Sequence, residues 1–288
     1  MKMSIEKKIF KQGNVKYYFS SRFFLGQMRR DIFRLYSFFQ VAKDYVRQPI
    51  PEKHEFTKLK NLWAKYKDDD DFSVNHQKGD SINLRVIKNI IHLYRRYKFE
   101  PQWIESFFDS MQADIEKRQY KTLDDTLWYL HGSAEVVGLM LAQILNLPKE
   151  ASKIALLEAR AIQYINFIRD IEEDANSGRC YFPREDLKTF GLHDLTRVHV
   201  TVNPQNYKDF IVYQINRYQN WQQAANKGFS YIPRRIRIPL KTAIDLCQWT
   251  AAEIISDPFA VYHRKIVPKR HHVVRRTLKH MVLPHQLQ

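Results

Sequence analysis

The chain has 288 residues, of which 44% are hydrophobic and only 8 are glycine, and it carries a formal charge of +16. That length buries a sizeable core as one large helical domain or two ordinary ones, and so little glycine argues against a P-loop or a Rossmann fold, whose phosphate loops need it. The two cysteines, Cys180 and Cys247, form no CxxC, so neither a zinc site nor a disulfide framework is expected and a reducing cytosol fits.

In chain order, the N-terminal MKMSIEKKIF is basic but is followed by no apolar h-region. A first helix is predicted over Phe19 to Val46, stopped by Pro49 and Pro51. Lys53 to Tyr66 reads as a second amphipathic helix and leads into Asp68-Asp69-Asp70-Asp71. Consecutive aspartates cannot share one direction, and the polar stretch after them marks an exposed loop rather than a metal motif. Further helices are predicted at Ser81 to Tyr97, Pro101 to Gln119, Thr122 to Leu147, Lys149 to Asn176, Pro204 to Gly228 and Pro233 to Ile255. The breaks between them are too short for interdomain linkers, so the simplest architecture is one all-α domain over residues 1–288. The longest apolar stretch, Val136 to Leu147, is interrupted by Gln143 and Asn146 and is too short to span a bilayer. A cytoplasmic protein, soluble or peripheral at the inner face of a membrane, is the expectation.

The most informative segment is QYINFIRDIEEDANSGR, Gln163 to Arg179. At about 100° per residue, Gln163, Asn166, Asp170 and Asp174 fall within an arc of roughly 80° on one helix. Ile162, Ile165, Phe167, Ile168 and Ile171 flank that row, so it faces into the protein. Buried carboxylates need a cation, and oxygen ligands spaced in this way suit Mg²⁺, which keeps positions for water and substrate phosphate. Asn166, Asp170 and Asp174 are the candidate metal ligands, with Gln163 beside them. The basic charge concentrates at the end: Pro258 to Gln288 holds seven Lys or Arg, five His and no acid. Read as a tail from about residue 264, it suits an anionic membrane surface or a diphosphate better than nucleic acid, because no recognition helix or RNP-type sheet accompanies it.

Several segments together resemble the squalene/phytoene synthase family of head-to-head prenyltransferases. They are KYYFSSRFFLGQMRRDIFRLYSFF (Lys16 to Phe39), YLHGSAEVVGLM (Tyr129 to Met140), the Gln163 segment with its Gly-Arg-Cys-Tyr-Phe-Pro continuation, and IPRRIRIPLKTAIDLCQWTAAEIISDPFAVYHRKIVP (Ile232 to Pro268). The resemblance implies an isoprenoid-synthase-like helical bundle around a central hydrophobic channel. It also implies two prenyl diphosphate substrates at a polar mouth, with Mg²⁺ (Mn²⁺ as a stand-in) assisting diphosphate departure and two allylic chains joining through a cyclopropyl intermediate. Geranylgeranyl diphosphate, giving phytoene, is favoured over the squalene or dehydrosqualene type, and no nucleotide motif argues for NADPH. By position, Asp170 and Asp174 carry catalysis with Tyr36 and Tyr129; Tyr17 is a further aromatic neighbour of the substrate. Val137 and Gly138 belong to the small-residue helix beside the channel. Arg22, Arg169, Arg179, Arg264 and Lys265 are candidate diphosphate partners.

One departure matters. Where the family's first aspartate motif is expected, this chain has Gln40, Lys43, Asp44 and Arg47. Lys43 and Arg47 stand in the places of the two outer aspartates, which replaces carboxylates by cations on that wall. Milder departures are Asn14, in place of a serine, and Cys247, in place of a tyrosine near the channel. Two readings follow: a synthase in which Lys43 and Arg47 bind diphosphate directly, or an impaired relative that serves as an isoprenoid-binding or assembly module.

Overall fold

The computed structural model describes residues 5–13, 24, 26–48, 50–117 and 119–282, and these form an almost wholly helical bundle. In order come α1 (Ile5–Gly13), α2 (Gly26–Arg47), α3 (Lys53–Tyr66), α4 (Ile82–Tyr97), α5 (Pro101–Glu116) and strand β1 (Gln119–Tyr120). Next are α6 (Leu123–Leu130), a wide π-type turn (His131–Glu135), α7 (Val136–Ile144), α8 (Glu150–Arg169), α9 (Ile171–Asn176) and β2 (Cys180–Pro183). The chain continues through α10 (Arg184–Thr189), α11 (Arg197–Val202), α12 (Pro204–Asn226), α13 (Arg234–Ser256), α14 (Ala260–His263) and α15 (Arg270–Val282). Asn14, Tyr17, Arg22 and the start of the first predicted helix lie outside the described residues.

Local chemistry sets these boundaries. The Ser81 hydroxyl accepts the Leu84 N–H at 3.2 Å and opens α4, while Lys98 in the left-handed region (φ 52°) closes it. Thr122 and Asp125 exchange side-chain and backbone bonds at the start of α6, a capping box. Pro101 and Pro204 stand in the first turns of α5 and α12, where a missing N–H costs nothing. Asp68 to Asp71 form an exposed turn, as the sequence suggested.

Four expectations are corrected. The predicted helix Pro101 to Gln119 ends at Glu116, and Gln119–Tyr120 pairs in parallel with Cys180–Pro183. Thr122 to Leu147 is split by the π-type turn, which sits where α5 approaches closely: a Cβ on Gly132 would lie 2.0 Å from the Ser106 carbonyl oxygen. Lys149 to Asn176 kinks at Asp170 (φ −98°, ψ 16°) although the Asp170 N–H still reaches the Asn166 carbonyl at 2.9 Å. Arg270–Val282 of the basic C-terminal segment is a docked helix: α15 packs on α13, and His280 Nε2 lies 3.0 Å from Asp245 Oδ2.

Three apolar clusters make the core. One joins α2, α4, α5 and α7; another joins the C-terminal half of α8 to α12 and the β pair; a small third holds Ala151, Ile154, Phe229, Ile232, Ile236 and Ile244. Helix α8 packs against α7, α12 and α13 and so runs through the middle of the bundle.

Candidate active site

Between α2, the π-type turn, α7, α8 and the start of α13 lies an apolar cavity of about 300 Å³. Its walls are made chiefly of small and branched side chains, among them Ala134, Val137, Gly138, Leu141, Ala155, Ala159 and Ile162. Gly138 is required where it stands, because a Cβ there would meet the Ala155 carbonyl oxygen at 2.5 Å. Of the residues singled out in the sequence, Tyr36, Lys43, Val137, Gly138, Gln163 and Asn166 all line this cavity.

Three of its polar residues, Lys43, Gln163 and Asn166, come from the C-terminal halves of α2 and α8. Asn166 lies near the C-terminus of α8, and Lys43 near the C-terminus of α2. Lys43 feels the charges of Arg47 and Asp114, and Arg47 in turn feels that of Asp174. Phe24, Leu145, Leu147 and Ile232 also line it and pack with Ala151 and Ile154 in the N-terminal half of α8. Burial draws the Lys43 ammonium down to about 7; the neighbouring Arg47 adds to that and Asp114 opposes it. Burial pushes the Tyr36 phenol up to about 12.

Just beyond Asn166 the two aspartates take up arginine partners. Arg169 grips Asp170 with two bonds, Nε to Oδ1 at 2.7 Å and Nη2 to Oδ2 at 2.5 Å. Arg179, itself buried, places Nε 3.4 Å from Asp174 Oδ1. The Asp174 carboxyl is only 16% exposed. Burial lifts it to about 6 against the pull of Arg47 and Arg179, and the charge of Asp170 adds to the rise. A hard cation suits this setting: Asn166, Asp170 and Asp174 offer oxygen donors, and a carboxylate whose burial is not fully offset gains from positive charge.

The cationic wall inferred from the sequence is corrected here. Arg47 does not join Lys43 on the cavity lining. Its Nε lies 3.3 Å from Asp114 Oδ2 and its Nη2 donates to the Tyr129 hydroxyl at 3.1 Å. Asp114, with a side chain 1% exposed, also accepts from the Tyr129 hydroxyl (2.9 Å) and the Tyr181 hydroxyl (2.7 Å). One of the two supposed extra charges is thus neutralised inside the protein by an acid that the motif comparison did not include. Tyr129 belongs to this buried network, stacked among Tyr120, Phe167 and Tyr181, and is not among the residues lining the cavity.

Other candidates also stand apart from the cavity. Gln40 donates to Asp44 at 2.7 Å, and Asp44 is exposed. Arg264 is 52% exposed and pairs with Glu253 at 2.9 Å, and Lys265 is exposed beside it. Cys247 is buried in the core behind the lining. Sequence reasoning overlooked Asp114 and Glu158, yet each left a signal. Asp114 follows Phe107 and Met111 on the buried face of α5, and Glu158 stands between Ile154 and Ile162 on α8, so both are acids on apolar rows.

Comparison with known proteins gives this arrangement a lineage. The family described as squalene/phytoene synthase matches residues 10–277. The chain is 28% identical over 191 residues to the 15-cis-phytoene synthase of Pantoea ananas, covering 63% of this chain and 59% of that one. It is 44% identical over 96 residues to the 15-cis-phytoene synthase of Enterobacter agglomerans, covering 33% of this chain and 31% of the relative. With phytoene synthase 1 of Zea mays it shares 26% identity over 171 residues, 57% of this chain and 42% of the maize protein. The matched stretches therefore span well under two thirds of these relatives' lengths. Among solved structures, a dehydrosqualene synthase in complex with ligand superposes with a TM-score of 0.73 at 16% identity, covering 98% of this chain and 95% of that one. A squalene synthase from Alicyclobacillus acidocaldarius gives a TM-score of 0.70 at 19% identity, with coverage of 88% and 93%. At such identities the structural likeness speaks for the fold, a terpenoid-synthase-like helical bundle. The match over almost the whole length carries the assignment: the chain belongs to the squalene/phytoene synthase family.

Proposed function

We propose that the protein is a head-to-head prenyltransferase that takes two allylic prenyl diphosphates, geranylgeranyl diphosphate in preference to farnesyl diphosphate, and releases diphosphate as the chains join. The observation that carries this reading is the cavity itself: a largely apolar chamber with Lys43, Gln163 and Asn166 on its lining, the last of them four residues before Asp170. A prenyl chain fits the apolar length, and its diphosphate fits the end where Lys43, Arg169 and Arg179 stand.

In this reading Asn166, Asp170 and Asp174 would hold Mg²⁺, with Mn²⁺ as a substitute, and the bound metal would act as a Lewis acid on the departing diphosphate. Lys43 binds diphosphate oxygens from the facing helix and takes over, as a cation, a place where the family pattern has a carboxylate. Arg169 and Arg179 hold the two aspartates in place and add positive charge beside the leaving group. Tyr36 presents its ring along the lining, where a π face steadies positive charge on the chain. Val137, Gly138 and the alanines of α8 keep water from the reacting carbons.

The test is direct. Purified protein incubated with geranylgeranyl or farnesyl diphosphate and Mg²⁺ yields a C40 or C30 hydrocarbon and free diphosphate. Absence of diphosphate release with Mg²⁺ and with Mn²⁺ overturns the reading. The alternative, an isoprenoid-binding module without turnover, is favoured by one feature: among the described residues, α2 brings Lys43 to the cavity but no carboxylate. Lys43→Asp separates the two, since it creates metal-dependent turnover in a degenerate synthase and abolishes it in a working variant. Arg47→Asp is unsuitable for this purpose because it would set two acids against each other in the buried network.

A further inference from the structure

Glu158 is chemically out of place on an apolar wall. It lies on α8 one turn from Ile154 and one turn from Ile162, and all three line the cavity. The residue is 3% exposed. Its Oε1 accepts from Gln222 Nε2 at 2.8 Å. Its Oε2 is sealed from solvent and has no hydrogen-bond partner.

Two neighbours on α12 share that condition. Gln222 Oε1 and the Tyr218 hydroxyl are likewise buried and unpartnered, and Tyr218 lies close enough to feel the charge of Glu158. No cation offsets the acid: burial pushes its carboxyl up to about 8, with only the Gln222 bond acting in the other direction. At neutral pH the group is therefore an uncharged carboxyl, able both to donate and to accept. Leaving such a group unpaired is costly, and a leucine there would serve a plain hydrocarbon chain better.

We propose that Glu158 is a specificity residue that hydrogen-bonds an oxygen function, a hydroxyl or a carbonyl, on the chain that occupies the cavity. This rests on the prenyl-binding reading above and narrows it to an oxygen-bearing isoprenoid. The position is defined: Glu158 lies eight residues before Asn166 on the same helix, about 12 Å along its axis at about 1.5 Å per residue. The oxygen therefore belongs on the distal part of a chain whose diphosphate sits at the Asn166 end. Rotation about the last side-chain bond of Glu158 exchanges its two oxygens, and the Gln222 bond can be kept by either. A site with a polar group set aside for a ligand oxygen discriminates strongly against the analogue that lacks it.

The experiment compares binding of farnesyl diphosphate and of its analogue hydroxylated on the distal isoprene unit to the wild type, E158Q and E158L. The wild type binds the hydroxylated chain about tenfold or more tightly than the plain chain, the effect of one hydrogen bond to a buried group. E158Q keeps that preference, and E158L reverses it. Thermal melting confirms that each variant is folded. If the wild type and E158L show the same ratio, Glu158 is satisfied by a buried water shared with Gln222 and Tyr218, and the proposal is wrong. Tight binding of the plain chain with exclusion of the hydroxylated one removes this proposal and leaves the prenyl reading intact. A wild type that binds neither chain removes both.

Discussion

Arg47 and Asp114 show how far a single side chain can shift the reading of a site. Counted from the sequence, the α2 wall carries two new cations; in the structure one of them is held by an acid from α5 at 3.3 Å. Asp114→Ala leaves the half-buried Arg47 charge and the Tyr129 and Tyr181 hydroxyls without their acceptor and is expected to cost about 1–3 kcal/mol, read as a fall in the urea midpoint. Lys43 behaves differently, because burial has already brought it to about 7. Below that value it is an ammonium; above it the free protein holds the neutral amine, and a bound diphosphate restores the charge. Diphosphate binding above pH 7 therefore takes up a proton. Calorimetry in buffers of different ionisation enthalpy reports that uptake in the wild type, and K43R abolishes it. Glu158 gives the opposite slope in stability. Its carboxyl stands at about 8 in the folded protein and at 4.5 unperturbed, so between those values the unfolded chain releases a proton that the folded chain keeps, and rising pH favours unfolding. The excess stability of E158Q over the wild type should widen from about pH 4.5 and level off above about pH 8; a constant difference across that window contradicts the assignment.

At the scale of elements, most of the bundle was legible and its interruptions were not. Helices α3 and α4, and most of α12 and α13, follow from apolar periodicity bounded by proline, serine and left-handed closers. Gln163 and Asn166, which line the cavity from α8, were equally legible, since polar residues on an apolar stripe are conspicuous. The π-type turn and the β pair were not, because they answer to neighbours that the local sequence does not contain. Gly132 meets the backbone of α5, and the β pair joins residues far apart in the chain. Gly132→Ala tests the first point: its Cβ would lie 2.0 Å from a carbonyl oxygen, and the loss should be about 1–3 kcal/mol or more in chemical denaturation. Gly138→Ala should be costly as well, and it should also weaken chain binding because α7 and α8 must part.

At the scale of the whole molecule, much of the basic charge near the C-terminus sits on one helix, α15. Helix α15 docks on α13 through His280 and Thr277, with Asp245 and Thr242 as their partners. Its outward side carries Val274 (56% exposed) and Leu278 (53% exposed) one turn apart, beside exposed Arg275 and Lys279. Among the described residues no helix is long and apolar enough to cross a membrane. The expected outcome is co-sedimentation with vesicles rich in anionic lipid, weakened by salt and by V274D with L278D, each cation contributing on the order of 1 kcal/mol. Binding that ignores both salt and lipid charge would contradict it.

The quartet of half-buried Arg47 with buried Asp114, Tyr129 and Tyr181 draws its members from α2, α5, α6 and β2. Positions so far apart in the chain must be inherited as a set. A crossover that grafts onto this protein a foreign N-terminal portion with an acid at position 47 would confront Asp114 with a second carboxylate and no counter-ion. Gene shuffling within this lineage therefore succeeds only where the arginine and its distant acid travel together.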